Sequence, residues 1–372
     1  MKRIIVFDKG GRKERIILIK QKKAPRDFFQ GIDLLPQKGF DVVHLTSSRK
    51  YPKELLYIVG SFFEKIFSKL SNIGIRPLSV YQFRKEINKS NYILSLTDGF
   101  SLSLGFYYSF INKKSKVKLA GAFHRLSDYD SKLILILRKL YYQIFLKILN
   151  RLDYIIFYGN SDRLNAIKEF KIPKEKTFIL KFGVDTDFWV PKKNNAYHSN
   201  YIFSIGQDPA RDFQTLLKIK TKKKIHIHTS LLKEKNETNI KITNGSYQEH
   251  NNSFSDIDIR SLYQKAFAVV VPLKDVFQPS GYSVTLQAMA CGKPVILSKT
   301  RGLWAPKVFK NLSNCILVKP YESDSIEKAI NFLESNKSEY DKISLNARKT
   351  AEKYFSLNIS TASTFDLFKN FN

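Results

Sequence analysis

Residues Tyr263–Leu297 read YQKAFAVVVPLKDVFQPSGYSVTLQAMACGKPVIL, and the fold is decided in this stretch. A helix leads into Ala268–Val271, a run of small and β-branched residues with the composition of a strand buried on both faces. A polar loop carrying Pro279-Ser280-Gly281 follows, a helix opens near Tyr282 and stops at Gly292, and a second strand begins at Pro294. Strand, loop, helix and strand in this order predict parallel neighbours joined by a crossover helix. Gly281 lets a ligand come close to the backbone. The free amides at the start of the following helix suit an anionic group such as a diphosphate, and the helix dipole adds to them. In an open parallel sheet this loop lies beyond the carboxyl ends of the strands, where ligands bind.

The same alternation runs outward in both directions. Strands are expected at Arg3–Phe7, Asp41–Leu45, Tyr92–Leu96, Val117–Ala122, Tyr154–Tyr158 and Thr177–Leu180, and helices over 27–38, 53–72, 131–152 and 161–170. Ile16–Ile19 reads equally as strand or helix. Pro191–Ser199 is polar and reads as a linker. Beyond it strands are expected at 201–205, 224–229, 239–243, 267–271, 294–298 and 315–318, and helices over 212–219, 256–266, 282–290, 323–335 and 337–355. Two runs of alternation predict an α/β protein of two doubly wound, Rossmann-like domains, 1–190 and 191–355, followed by a C-terminal segment, 356–372.

Of the 372 residues, 63 are Lys or Arg and 33 Asp or Glu, a formal charge of +30. Residues 1–190 carry 36 of the basic residues against 17 acidic ones. Such an excess favours phosphate-bearing partners: a nucleotide, an anionic membrane surface or a nucleic acid. Abundant Lys, Asn and Ile along the whole chain also point to compositional bias. No RRM, KH, zinc or helix-turn-helix signature supports nucleic acid. Cys291 and Cys315 alone give no disulfide framework, as in a reducing compartment. The opening Met1–Asp8 is too short an apolar run for a signal peptide. The nearest approach to a transmembrane stretch, Leu133–Leu149, is broken by Arg138, Lys139 and Lys147. A cytoplasmic protein is expected, at the inner face of a membrane if it is membrane-bound.

The stretch from Gly281 through Gln287-Ala288-Met289-Ala290-Cys291-Gly292 to Lys293-Pro294-Val295 resembles the donor-binding signature of the GT4-type retaining glycosyltransferases. Further motifs follow in the family's order. Phe182-Gly183-Val184-Asp185 with Pro191 is similar to the segment at the family's domain junction, with Phe182 in place of the usual Asn. Phe203–Phe213 is similar to the first strand and glycine loop of the donor domain. The resemblance is strong over about 180–305, while the N-terminal half matches by pattern. It implies the GT-B architecture, two Rossmann-like domains facing across a cleft, with 356–372 crossing back to the first.

The resemblance also implies an activity and a site. The reaction would move a sugar from a nucleoside diphosphate sugar to a hydroxyl acceptor, with retention and without a metal or other cofactor. By the match Gly206 and Arg211 hold the donor diphosphate, together with the Ser280-Gly281-Tyr282 turn. A guanidinium fork fits phosphate oxygens. Lys274 or Lys293 would supply a second cation, since Gln207 stands where the family often has Arg. His124, after the Gly121-Ala122-Phe123 strand end, falls where the family often has a His near the donor sugar. The family's two donor-site glutamates are absent, with Gln287 at the second position and Gln278 or Pro279 near the first. Gln287 would then accept the ribose hydroxyls, more weakly than a carboxylate. The acceptor is expected to be a saccharide or lipid-linked cell-envelope molecule. Helices 53–72 and 131–152, rich in aromatic residues and Lys, are the candidate membrane contacts.

Other readings stay open: a sugar-nucleotide epimerase on the same fold, or a sugar- or partner-binding module. His226 and His228 share one face of a strand, expected to be exposed, and lack a third metal ligand. Cys291, at a helix C-terminus, reads as packing. Ser283 has no G-x-S-x-G elbow, so a hydrolase is not supported.

Overall fold

The computed structural model describes residues 1–8, 12–46, 52–71, 74–128, 135–192, 196–245 and 254–371. The chain forms two units: Met1–Arg12, Ile32–Leu180 and Phe365–Asn372 make the first, Lys13–Gly31 and Lys181–Thr364 the second.

The first unit is built on six strands, β1 (Lys2–Phe7), β2 (Phe40–Leu45), β3 (Tyr92–Ser95), β4 (Lys118–Ala122), β5 (Tyr154–Phe157) and β6 (Thr177–Ile179). They are all parallel, in the order β2-β1-β3-β4-β5-β6. Successive side chains alternate between two buried faces. Ile5, Phe7, Ile93, Leu119 and Ile155 lie on one; Ile4, Val6, Leu94, Ala120 and Ile156 lie on the other, with Leu367, Phe368 and Phe371 of the last residues. Burial on both faces is why these strands read as unbroken apolar runs.

The second unit holds β7 (Tyr201–Ile205), β8 (Lys224–His228), β9 (Lys235–Asn236), β10 (Ile240–Thr243), β11 (Val269–Val271), β12 (Val295–Ser298) and β13 (Ile316–Val318). The order is β13-β12-β11-β7-β8-β10-β9, parallel except for β9. The two-residue, exposed β9 carries no apolar pattern, so the sequence offers no signal for it. The helices Tyr282–Ala290, Ser323–Ser335 and Lys337–Phe355 fall where the periodicity places them.

Two expectations change, and one open reading is resolved. Residues 27–38 form two 3-10 turns, Asp27–Phe29 and Ile32–Lys38, instead of one α-helix. Gln30 and Gly31 between them are left-handed (φ 50° and 79°), which breaks the helical path. A Cβ on Gly31 would stand 2.5 Å from the Thr361 Cα, so only glycine fits this approach. Ile16–Ile19 is helical, within Arg12–Lys20. The described part of the Pro191–Ser199 segment is docked: the Tyr197 hydroxyl donates to the Glu334 carbonyl (2.5 Å), and its ring lies 5.1 Å from that of Tyr340.

Lys13–Gly31 belongs to the second unit because of one buried carboxylate. Asp27 accepts hydrogen bonds from the Asp185 amide (2.5 Å), the Trp189 indole N–H (2.8 Å) and the Gln287 carboxamide (3.0 Å). Arg15 reaches both oxygens of Asp256 at 2.8 Å, and its guanidinium lies over the Phe28 ring. Replacing Asp27 by Ala strands three buried donors, each costing about 1–3 kcal/mol. Both tryptophans, Trp189 and Trp304, lie in the second unit. Asp27→Ala is therefore expected to lower the urea stability read by tryptophan fluorescence by roughly 3 kcal/mol or more.

Candidate functional site

The site grows from the carboxyl ends of β7 and β11. After β7 the chain passes Gly206 and turns through Gln207-Asp208-Pro209-Ala210 to Arg211. The turn is closed by the Arg211 amide donating to the Asp208 carbonyl (2.9 Å). It is stitched to the segment after β11 by Asp212 N–H to the Pro272 carbonyl (3.0 Å) and Lys274 N–H to the Ala210 carbonyl (2.9 Å). Arg211 is thereby carried into the interior, where it is 7% exposed.

Two glycines make room for its guanidinium. A Cβ on Gly206 would lie 2.3 Å from Arg211 Nε, and one on Gly281 would lie 3.4 Å from Nη1 and 2.8 Å from Val271 Cγ1. Gly281 is left-handed (φ 80°, ψ 0°) and caps the helix Tyr282–Ala290. The guanidinium thus lies at the start of that helix, where the first amides lack intrahelical partners. Among the described residues Arg211 Nε and Nη1 are buried without a hydrogen-bond partner. Burial pulls its pKa below the ordinary value, while Asp208 and Tyr263 hold it up. It stays charged regardless. A buried cation with unsatisfied donors beside a helix N-terminus is completed by an anion with several acceptor oxygens.

Asp208 organises the facing loop. Its carboxylate accepts from the Ala210 amide (2.9 Å), the Gln278 carboxamide (2.5 Å) and the Ser280 hydroxyl (2.9 Å). A Cβ on Gly302 would stand 2.4 Å from the Gln278 carbonyl, so the loop is pressed against the chain after β12. Arg301 completes the clamp, paired with Asp275 (3.1 Å) and stacked over Phe277 (4.5 Å).

The sequence-predicted residues divide accordingly. Gly206, Arg211, Ser280, Gly281 and Tyr282 stand together; Ser280 turns its hydroxyl to Asp208, and the Tyr282 ring packs on Phe182 at 4.2 Å. Lys274 lies exposed on the same turn, its ammonium donating to the Pro209 carbonyl (3.0 Å). Gln287 lies further along the helix, 1% exposed, its Nε2 bonded to Asp27 and its Oε1 accepting from Tyr263 (3.3 Å). Its amide is committed to the buried network, not turned to the loop. Lys293 lies beyond the other end of the nine-residue helix, about 13 Å from its start, and is no second cation for the Arg211 site. Burial lowers its pKa to about 8. Cys291 is buried as well, its thiol pushed up to about 12 by desolvation.

His124 belongs to the first unit. Its amide donates to Asp98 (2.9 Å), its ring lies 3.3 Å from the Leu96 carbonyl and stacks on Tyr158 at 4.7 Å. His226 and His228 are not exposed, as expected from the strand pattern, but buried at 7% and 0%. The Thr243 hydroxyl, on the neighbouring strand β10, lies 3.3 Å from one and 2.9 Å from the other, and the Phe203 and Phe254 rings pack against His226 (5.3 Å) and His228 (4.9 Å). Burial lowers the His226 pKa to about 4, with Lys241 and His228 adding to the effect. Among the described residues no group of three His, Cys, Asp or Glu is placed to hold a metal.

Asp208 and Asp27 escaped the sequence reading. An Asp in a turn after a strand was a legible signal for local capping by Asp208. Nothing near Asp27 in the chain announces partners at 185, 189 and 287.

Comparison with known proteins bears on the fold and on the segment that holds the Gly281 loop. Residues 248–350 match the family of glycosyl transferases group 1. An uncharacterized glycosyltransferase of Methanocaldococcus jannaschii is 32% identical over 111 residues, 30% of this chain and 27% of that relative's length. Among solved structures, Anabaena HepE in complex with UDP and glucose has a TM-score of 0.68 at 16% identity, over 100% of both chains. Sucrose-phosphate synthase of Thermosynechococcus elongatus has 0.67 at 13%, over 100% of this chain and 99% of that one. The lipopolysaccharide outer core galactosyltransferase WaaB has 0.60 at 13%, over 100% of both. The fold is that of the GT-B glycosyltransferases, and the Gly281 loop lies within the stretch that matches the glycosyl transferases group 1.

The network behind the site titrates. Desolvation raises the Asp27 pKa from 3.8 to about 7 against the hydrogen bonds from Gln287, Asp185 and Trp189. The folded state then holds this proton where the unfolded chain has lost it. The stability contributed is complete below about pH 4 and is lost as pH rises through about 7. The urea midpoint read by tryptophan fluorescence should fall between these pH values more steeply in the wild type than in Asp27→Asn, which cannot ionise.

Proposed function

We propose that the protein transfers a glycosyl group from a nucleoside diphosphate sugar to a hydroxyl of a saccharide acceptor. The observation that carries this reading is the buried Arg211 with its Nε and Nη1 unsatisfied, between Gly206 and Gly281 at a helix start. The barrier to transfer is loss of the diphosphate from the anomeric carbon. Charge growing on that leaving group is stabilised by fixed donors already in place, which need no reorganisation. Arg211 and the amides at Gly281 and Tyr282 are those donors, and Lys274 adds a cation at the rim. On this reading the charge is met by the chain's own groups, without a metal. UDP is the first nucleotide to test, since HepE was solved with UDP and with UDP-glucose.

His124, fixed by Tyr158 and Asp98, is proposed to contact the transferred sugar or to orient the acceptor. Retention follows from the resemblance of the donor segment. A cell-envelope or lipid-linked acceptor fits the basic excess of the first 190 residues, and WaaB acts on a lipopolysaccharide core. Peripheral contact with an anionic membrane on the cytoplasmic side belongs to the same reading. Gln278 is spent on Asp208 and Gln287 on Asp27, which favours a second reading, a nucleotide-sugar-binding module without turnover.

Calorimetric titration with UDP, GDP, ADP and CMP tests the donor site. One nucleoside diphosphate is expected to bind preferentially. Arg211→Ala should weaken it roughly 10- to 100-fold, the worth of a charge-assisted contact. Gly206→Ala should do the same by displacing the guanidinium. Binding with turnover of the matching sugar nucleotide supports the transferase, binding without turnover the module, and no binding at all rejects both.

A further inference from the structure

The helix Leu55–Ser71 of the first unit is turned the wrong way round for a soluble helix. Its inward face carries Tyr57, Gly60, Ser61 and Glu64. Tyr57 lies 6.5 Å from the Tyr81 ring, a Cβ on Gly60 would stand 2.6 Å from Leu78 Cδ1, and the 8% exposed Glu64 accepts from the Leu78 amide at 2.7 Å. Its outward face carries Leu55, Leu56, Ile58, Val59, Phe62 and Phe63, all between 47% and 76% exposed. At 100° per residue these six fill an arc of about 160°, without a polar interruption over Leu55–Phe63. The other helix with membrane-like composition, Leu135–Arg151, behaves conventionally and buries Phe145, Ile148 and Leu149 in the core.

A continuous apolar face of this size is covered in the working protein. Charge selects what covers it. Lys65 stands exposed at the rim of the arc and Lys53 just before the helix, where Glu54 is the one exposed acid. A second copy would bring two chains of formal charge +30 face to face. An anionic bilayer offers the opposite charge, and Phe and Leu side chains with lysines at their edge are the composition of a helix lying in the headgroup region. We infer that Leu55–Ser71 docks the protein on an anionic lipid surface, with the Leu55–Phe63 face embedded and Lys65 at the headgroups. The inference deepens the membrane part of the reading above and does not rest on its chemistry, because lipid docking and nucleotide binding can fail separately.

The test is flotation of the full chain with vesicles of phosphatidylcholine, with and without phosphatidylglycerol, alongside its solution mass and the UDP titration. The wild type is expected to float with the phosphatidylglycerol vesicles. Phe62→Ser with Phe63→Ser should reduce the bound fraction roughly tenfold or more while nucleotide binding is unchanged. Lys65→Glu, which leaves the apolar face intact, should weaken binding only to the anionic vesicles. The inference is overturned if the wild type stays with neither vesicle or if the double serine variant floats as well as the wild type. It is equally overturned if the wild type forms a dimer that this variant dissolves while no lipid is bound.

Discussion

A guanidinium held in the interior without enough partners constrains everything around it. Arg211 costs free energy to bury, and its Nε and Nη1 have no hydrogen-bond partner among the described residues. Its neighbours are arranged to tolerate that charge. Gly206 and Gly281 remove the Cβ atoms that would collide with it, the turn after β7 is stitched to the segment after β11, and Asp208 supplies a nearby negative charge. The same Asp208 holds Gln278 and Ser280, so one carboxylate steadies the cation and shapes the loop across from it. On the proposed reading an anionic ligand restores the stability lost here, as in a preorganised electrostatic site.

Behind this site lies a buried carboxyl group with a different purpose. Asp27 gathers three donors that are distant in sequence, and one of them, Gln287, comes from the helix that Gly281 caps. The carboxylate therefore fixes the body of that helix while its N-terminus faces the ligand side. Gln287 takes this role with its Nε2, and its Oε1 meets Tyr263. A glutamate here would set a second carboxylate against Asp27, and the two would repel. The amide at 287 is in this way matched to the acid at 27.

The first unit shows the opposite imbalance, apolar surface without cover. The Leu55–Ser71 helix buries a glutamate and exposes two phenylalanines, which reverses the pattern that drives soluble folding. Its inward face meets Leu78 through Gly60 and Glu64 and Tyr81 through Tyr57, while the large apolar side chains stand on the outward face.

The linear pattern by itself determined the two parallel α/β sheets, because buried parallel strands must be apolar runs and crossover helices must carry period-3.6 stripes. It also marked the Gly281 loop, because glycines and turn residues act within a few positions of the chain; Arg211 was named by the family resemblance, and its meeting with Gly281 is tertiary. The tertiary structure alone decided what depends on partners far apart in sequence. It put Lys13–Gly31 in the second unit through Asp27 and drew Gln287 into the interior. It buried His226 and His228 against Phe203 and Phe254, and placed Lys293 at the far end of its helix. Composition could not say which of two apolar, lysine-bearing helices faces outward, since that orientation is set by packing against Leu78 and Tyr81 and not by periodicity.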